Sequence, residues 1–198
     1  MKKLSLLALL FVLLSSQKGL AQKDYVVLHG KIENPIEGLG IRLFDPVSSK
    51  AINIKVAADG TYRDSIKLDK PVLFNTFYDK FFTLYLSNDM NLEINFDAKN
   101  VSKSIAINGK GEKENAFLRL KSKLEGEMYG TDYTVFLNLE KEAFEAKINK
   151  FTTDFKSEIE LKKSELDPLF VTFQLKKLEE LKQALVQQYT EAQRNKNE

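Results

Sequence analysis

The stretch GKGEKEN, residues 109–115, has two glycines around a lysine just before a predicted helix. Glycine-rich turns that open helices can cradle phosphate through backbone N–H groups. A phosphate-binding P-loop also requires a lysine followed by Ser or Thr after its second glycine. Here Gly111 is followed by Glu112 and Glu114, whose carboxylates would repel phosphate. We therefore predict a tight turn, with acidic residues that suit the positive end of the helix dipole.

Other reactive residue types are sparse or dispersed. His29 is the only histidine, so it would have to serve any serine nucleophile, and no G-x-S-x-G turn occurs. Oxygen-ligated metal sites draw several acids from one loop, whereas Asp59, Asp64, Asp89 and Asp97 are scattered over separate stretches of the chain. The sequence therefore predicts a non-catalytic protein with no metal and no cofactor. An enzyme that uses two of the dispersed carboxylates is the least favoured alternative.

The first 21 residues have the composition of a secretory signal peptide. Lys2 and Lys3 precede an apolar run from Leu4 to Leu14, and a small-residue cleavage site ends at Ala21. The apolar run is about half of the ~20 residues that a membrane-spanning helix needs. We expect export, a mature protein in the periplasm or cell envelope, and no lipid anchor, since the cysteine that would carry one is missing.

Composition excludes further functions. The 198 residues include no cysteine, so thiol redox chemistry and cysteine-ligated zinc are excluded. A formal net charge of +2 gives no global field, which argues against nucleic acid or an anionic membrane surface as partner. Hydrophobic residues make up 43% of the chain, enough for one core without disulfides. The oligomeric state is not predicted.

Residues 22–111 read as a β domain, because short alternating runs are separated by turn residues. Asp59-Gly60 predicts a two-residue hairpin turn, and Asn88-Asp89 predicts the next turn. The predicted strands cover residues 25–32, 40–45, 51–57, 61–68, 72–78, 81–87, 91–97 and 104–109.

Residues 112–198 read as helical, since Glu, Lys, Leu and Phe replace glycine and β-branched residues. Helices are predicted over about residues 113–127 and 137–164, and a third begins at Asp167-Pro168, an N-cap followed by proline. The last two helices each need an apolar partner. The predicted fold class is α+β, an antiparallel β-sandwich or open barrel of about eight strands followed by an α-helical hairpin.

The segment VLFNTFYDKFFTLYL, residues 72–86, is unusually aromatic. Alternate side chains of a strand point to opposite faces of a sheet, so one aromatic face belongs to the core. The other face either lies under the helices, which is the favoured reading, or is an exposed surface for a partner or glycan. The candidate binding residues are Phe74, Phe77, Tyr78, Phe82 and Tyr85.

The order of these motifs resembles a known family. A G-x-I strand at residues 30–32, a D-G-x-Y hairpin at 59–62, a turn at 87–89 and a G-x-G turn before a helix follow one another. This order is similar to the N-terminal accessory domain of TlpA-type thioredoxin-fold disulfide oxidoreductases of Bacteroidetes. The likeness covers about residues 25–125, and it implies that the glycines at 109 and 111 mark the joint between sheet and helices.

In that family a thioredoxin domain with a Cys-x-x-Cys motif follows the helices. This chain has no cysteine onto which that motif could be carried. We therefore expect an accessory module, either a stand-alone paralogue or a truncated product, that docks an envelope protein, with a thioredoxin-fold protein as one candidate partner. The alternative functions are a periplasmic chaperone or a small-ligand carrier.

Overall fold

The structure is a computed structural model that describes residues 23–196. Its N-terminal part contains eight β-strands. The predicted signal peptide lies outside these residues. Each strand begins or ends within a few residues of a predicted one. The strands are β1 (Val26–Glu33), β2 (Ile41–Phe44), β3 (Ala51–Ile54), β4 (Thr61–Ile66), β5 (Val72–Tyr78), β6 (Lys80–Leu86), β7 (Asn91–Asp97) and β8 (Ala106–Lys110).

The strands form two four-stranded sheets. The first sheet has the order β4-β1-β7-β8 and the second has the order β3-β2-β5-β6. Neighbouring strands are antiparallel except β1 and β7, which are parallel because the chain passes through the second sheet between them. Together with the helices that follow, the two sheets confirm the predicted fold class.

The space between the sheets is filled by side chains from alternate positions of each strand. Leu43 from β2 and Tyr78 from β5 are fully buried, as is Ile32 from β1. The ring of Tyr78 contacts Phe96 of β7 edge-on, at 5.3 Å between centroids. A tight turn does precede β4, since Gly60 has a φ of 82° and its N–H donates to the carbonyl oxygen of Ala57. The predicted two-residue hairpin is wrong, because β3 and β4 lie in different sheets and do not pair with each other.

Three short helical elements were not predicted. A 3₁₀ turn (Ala98–Asn100) and a four-residue helix interrupt the chain before β8, and a short helix follows residue 132. Asp167 begins the last helix as predicted, because its carboxylate accepts from the N–H of Leu169 at 2.7 Å. The helices are α1 (Val101–Ser104), α2 (Glu112–Tyr129), α3 (Tyr133–Leu137), α4 (Lys141–Lys162) and α5 (Pro168–Lys196).

α4 and α5 form an antiparallel hairpin. Phe144, near the start of α4, stacks on Tyr189, near the end of α5, at 4.0 Å, and Lys156 pairs with Glu179 midway. The hairpin closes on α2 through the ring of Phe117, which contacts both α4 and α5. No helix within residues 23–196 combines the length and apolarity needed to cross a bilayer.

Candidate functional site

The aromatic segment of β5 and β6 divides between the two faces of the second sheet. Phe74, Tyr78 and Phe82 point toward the first sheet, where the rings of Tyr78 and Phe82 both contact Phe96. Phe74 and Tyr78 are 2% and 0% exposed, and the hydroxyl of Tyr78 accepts a hydrogen bond from the N–H of Ile36. These inward rings are core residues, so their prediction as binding residues is corrected.

The outward face is covered at one end by helices. Tyr85 points outward from β6 and is fully buried beneath α5, with its ring 4.7 Å from Phe170 and 6.3 Å from Phe173. Burial raises the pKa of Tyr85, and the nearby charges of Asp167 and Glu114 add to the effect. Tyr85 is therefore also a core residue, because the helix region needs an apolar surface on which to pack.

The other end of the same face is open. Phe81 is 77% exposed, and its ring lies 4.9 Å from the half-buried ring of Phe77 on the neighbouring strand. The strand register places Arg42 beside Phe77 and Phe44 beside Asn75. We call this surface the aromatic patch, and a depression of about 540 Å³ lies among its residues. Its members are Arg42, Phe44, Ala51, Asn75, Phe77 and Phe81.

A second depression adjoins the aromatic patch. It has a volume of about 470 Å³ and shares Arg42 and Phe77 with the first. Its far side is formed by the turn before β2, by Asn53 of β3 and by Lys55, which follows that strand. The ring of Phe77 lines both depressions, and the ring of Phe81 lines the first.

The cations around this surface lack acidic partners. The Nε–H of Arg42 donates to the Oδ1 of Asn53 at 3.3 Å, but no carboxylate within residues 23–196 pairs with Arg42, Lys55 or Lys80. On the helices, by contrast, lysines pair with neighbouring carboxylates, as Lys150 does with Asp154 at 2.5 Å. The surface around the patch therefore offers unpaired positive charge.

Of the candidate binding residues, Phe77 lies on the aromatic patch. Phe81 was noted in the aromatic segment but not chosen as a candidate, and Arg42, Phe44, Ala51 and Asn75 were missed. Arg42 and Phe44 come close to Phe77 only through the pairing of β2 with β5, which is not a local property of the chain. The one available signal was the alternation in IRLF, where Ile41 and Leu43 are buried and Arg42 and Phe44 are not.

Three of the four dispersed aspartates, Asp59, Asp89 and Asp97, support a turn or the joint between sheet and helices, whereas Asp64 lies within β4 and accepts from the N–H of Ser65. The Thr61 hydroxyl lowers the pKa of Asp59 at the turn before β4, and the N–H of Lys99 lowers that of Asp97 at the 3₁₀ turn. A hydrogen bond from Lys110 lowers the pKa of Asp89. His29 lies mid-strand between β4 and β7, and the described residues contain no cluster of three or more His, Asp or Glu that could hold a metal.

The glycine-rich turn faces a cleft of about 360 Å³. Gly111 adopts a φ of 109° and its carbonyl oxygen accepts from Asn115, so the turn joins β8 directly to α2. Glu112, Glu114 and Asp167 are among the residues that line the cleft. Acidic residues outnumber the two lysines of the lining, Lys110 and Lys113, so the cleft is unfavourable for an anion.

No protein-family model matches the chain, and no curated protein matches it. Among solved structures, one similar chain belongs to a candidate cell adhesion protein from Bacteroides ovatus. The two are 15% identical, with a TM-score of 0.27, and the match covers 44% of this chain. The chain spans 43% of the length of that structure.

Proposed function

We propose that this chain is an exported, non-catalytic docking module that holds a protein of the cell envelope on the aromatic patch. The observation that carries the proposal is the division of one sheet face. Helices bury the Tyr85 end of that face, whereas Phe77 and Phe81 at the other end stay accessible beside open depressions. Exposed aromatic rings with an arginine are typical of protein-binding surfaces.

The nature of the partner rests on the family resemblance. Accessory domains of the TlpA type occur together with a thioredoxin-fold domain, so a separate thioredoxin-fold protein is the partner class that we propose. The roles of Asp59, Asp89 and Asp97 in turns and at the joint support a non-catalytic module, since their carboxylates are already committed to local hydrogen bonds.

The two alternative functions have less support. A carrier needs an enclosed cavity, but aromatic side chains such as Phe74 and Tyr78 occupy the centre of the sandwich. A chaperone that grips clients with its helices needs free apolar helix faces. The apolar sides of α4 and α5 instead pack on each other and on α2, as the contacts of Phe117 and Phe144 show.

Site-specific photo-crosslinking in the producing cell tests this proposal. A photoreactive benzoylphenylalanine replaces Phe81 in one variant and Leu161 in a matched control. Both native side chains are exposed, at 77% and 70%, but Leu161 lies on α4, far along the chain from the patch. We expect the Phe81 variant to capture one thioredoxin-fold envelope protein and the Leu161 variant to capture none. Capture of the same proteins from both positions contradicts the proposal.

Alanine variants separate binding from folding. Phe81→Ala changes an exposed side chain, so the free energy of unfolding of the variant should stay within about 0.5 kcal/mol of the wild type. Crosslinking from a neighbouring position of the aromatic patch should be lost. Tyr78→Ala removes a fully buried ring and should cost about 3 to 5 kcal/mol. Unchanged capture by a folded Phe81→Ala protein would remove the aromatic patch from consideration.

A further inference from the structure

The outer edge of β6 carries backbone groups that point away from the sheet. Asn115 shows where they point, because its side-chain amide accepts from the N–H of Tyr85 at 2.9 Å and donates to the carbonyl oxygen of Tyr85 at 3.0 Å. These are the two hydrogen bonds that a neighbouring strand would make. The backbone N–H and C=O of Tyr85 therefore point away from β5, so Tyr85 and Leu73 of β5 are a non-hydrogen-bonded pair of the ladder.

The same alternation applies to the part of the β6 edge next to the aromatic patch. Hydrogen-bonded and non-hydrogen-bonded pairs alternate along an antiparallel ladder, so Thr83 and Phe81 also direct their N–H and C=O groups outward. Both side chains are exposed. Within residues 23–196 no hydrogen bond reaches these groups, whereas Asn115 covers the next outward position along the strand.

We propose that an extended segment of the partner polypeptide adds as a fifth strand to the second sheet, alongside residues 80–83 of β6. This inference rests on the proposed docking function and specifies how docking occurs. The incoming strand pairs with the outward groups of Phe81 and Thr83, and edge addition of this kind is an established mode of peptide recognition.

The chemistry of the occupant follows from its neighbours. An apolar side chain on the added strand, opposite Phe81, extends the row of phenyl rings formed by Phe81 and Phe77. Lys80 stands at the end of the open edge without a carboxylate partner, and the cations Arg42 and Lys55 lie farther across the sheet. The segment therefore has apolar side chains at alternate positions and acidic residues beside them.

The probe is the synthetic peptide DETVTVTVDE, with KKTVTVTVKK as the matched control of reversed charge. Hydrogen exchange of the Thr83 amide is followed by NMR. Binding of the acidic peptide should slow that exchange about tenfold or more, as expected for a newly protected hydrogen bond. Failure of the acidic peptide to protect the Thr83 amide overturns the proposal, and equal binding of the lysine peptide overturns the assignment of an acidic partner.

Two variants at one position isolate the backbone contribution. Thr83→Pro removes the outward N–H and leaves the ladder to β5 intact, because proline is tolerated where an edge strand does not use its N–H. Thr83→Val changes the side chain and keeps the N–H. We expect peptide affinity to fall about tenfold in Thr83→Pro, because one hydrogen bond is lost. Affinity should be nearly unchanged in Thr83→Val. Equal affinities for the two folded variants overturn strand addition.

A methylated peptide makes the same test without altering the protein. Methyl groups on alternate amide nitrogens along the edge that faces β6 remove donors from the peptide, whereas methyl groups on the opposite edge do not. Only the first set should abolish Thr83 protection. Partner crosslinking then distinguishes the two proposals. Capture that survives Thr83→Pro but is lost in Phe81→Ala disproves strand addition and leaves docking on the patch standing. Capture that survives both substitutions disproves docking on the patch.

Discussion

Asn115 on α2 is bonded twice to the backbone of Tyr85 on β6, through its amide oxygen at 2.9 Å and its amide nitrogen at 3.0 Å. The same amide nitrogen donates to the carbonyl oxygen of Gly111 at 2.9 Å. The Asn115 side chain thus forms the hydrogen bonds of the Tyr85 backbone at the sheet edge and also holds the turn that joins the sheets to the helices. Asn115 is 1% exposed, so water cannot replace it.

Asn115→Ala should destabilise the protein. The substitution leaves the N–H and C=O of Tyr85 buried without partners, at a cost of about 2 to 4 kcal/mol, or a fall in Tm of roughly 5 to 15 °C. Circular dichroism on heating measures this change. Asn108→Ala is the control, because Asn108 is exposed on β8. Equal Tm values for the two variants would show that the Asn115 amide does not hold the joint.

Gly60→Ala should be much more damaging than Gly38→Ala. Both glycines have positive φ angles, 82° and 74°, but a Cβ on Gly60 would lie 2.0 Å from the carbonyl oxygen of Ile32, whereas nothing lies within 4 Å of a Cβ on Gly38. We expect about 1 kcal/mol from the φ angle alone at Gly38 and more than about 3 kcal/mol at Gly60. Urea unfolding measures both, and equal losses would mean that the clash relaxes freely.

Stability should fall at alkaline pH. Burial raises the pKa of Tyr62, Tyr85 and Tyr129 above 10.0, and that of Tyr129 to about 12. As pH rises past 10, the unfolded chain loses tyrosine protons before the folded protein does, which favours unfolding. The contribution of Tyr129 to stability is complete below pH 10 and is lost toward pH 12. Urea midpoints should decline over that range, less steeply for Tyr129→Phe, and a slope unchanged by the substitution would count against this assignment.

Gln174→Met should stabilise the protein. Gln174 is completely buried on α5 between Phe170 and Leu178, and neither atom of its amide group has a hydrogen-bond partner among the described residues. Methionine has a similar shape and no polar group to desolvate, so a gain of about 1 to 3 kcal/mol is expected. Gln183→Met, at an exposed site on the same helix, should change stability by less than about 0.5 kcal/mol. A loss of stability at Gln174 would mean that the amide is satisfied in solution.

Local patterns were sufficient to predict most elements of this fold. Alternating residues located the strands, and Asp167-Pro168 marked the start of α5, where Asp167 does cap the helix. Asp59-Gly60 marked a turn, but it does not form a hairpin, because the strands on either side of it lie in different sheets. The short α1 and α3 were missed because a helix of one turn has too few residues to show a period. The parallel pairing of β1 with β7 was also missed, since it joins strands about 65 residues apart in sequence.

The candidate site could not be derived in the same way. Sequence alone determined that the β5 and β6 segment is aromatic and that half of its rings face each side, because the alternation of a strand is a property of its own backbone. Only the tertiary structure decided that Tyr85 lies beneath α5 while Phe81 stays open, and that Arg42 lies beside Phe77. The exposure of these rings depends on the position of α5, which begins some eighty residues later in the chain. That position is set by packing between distant segments rather than by any local preference.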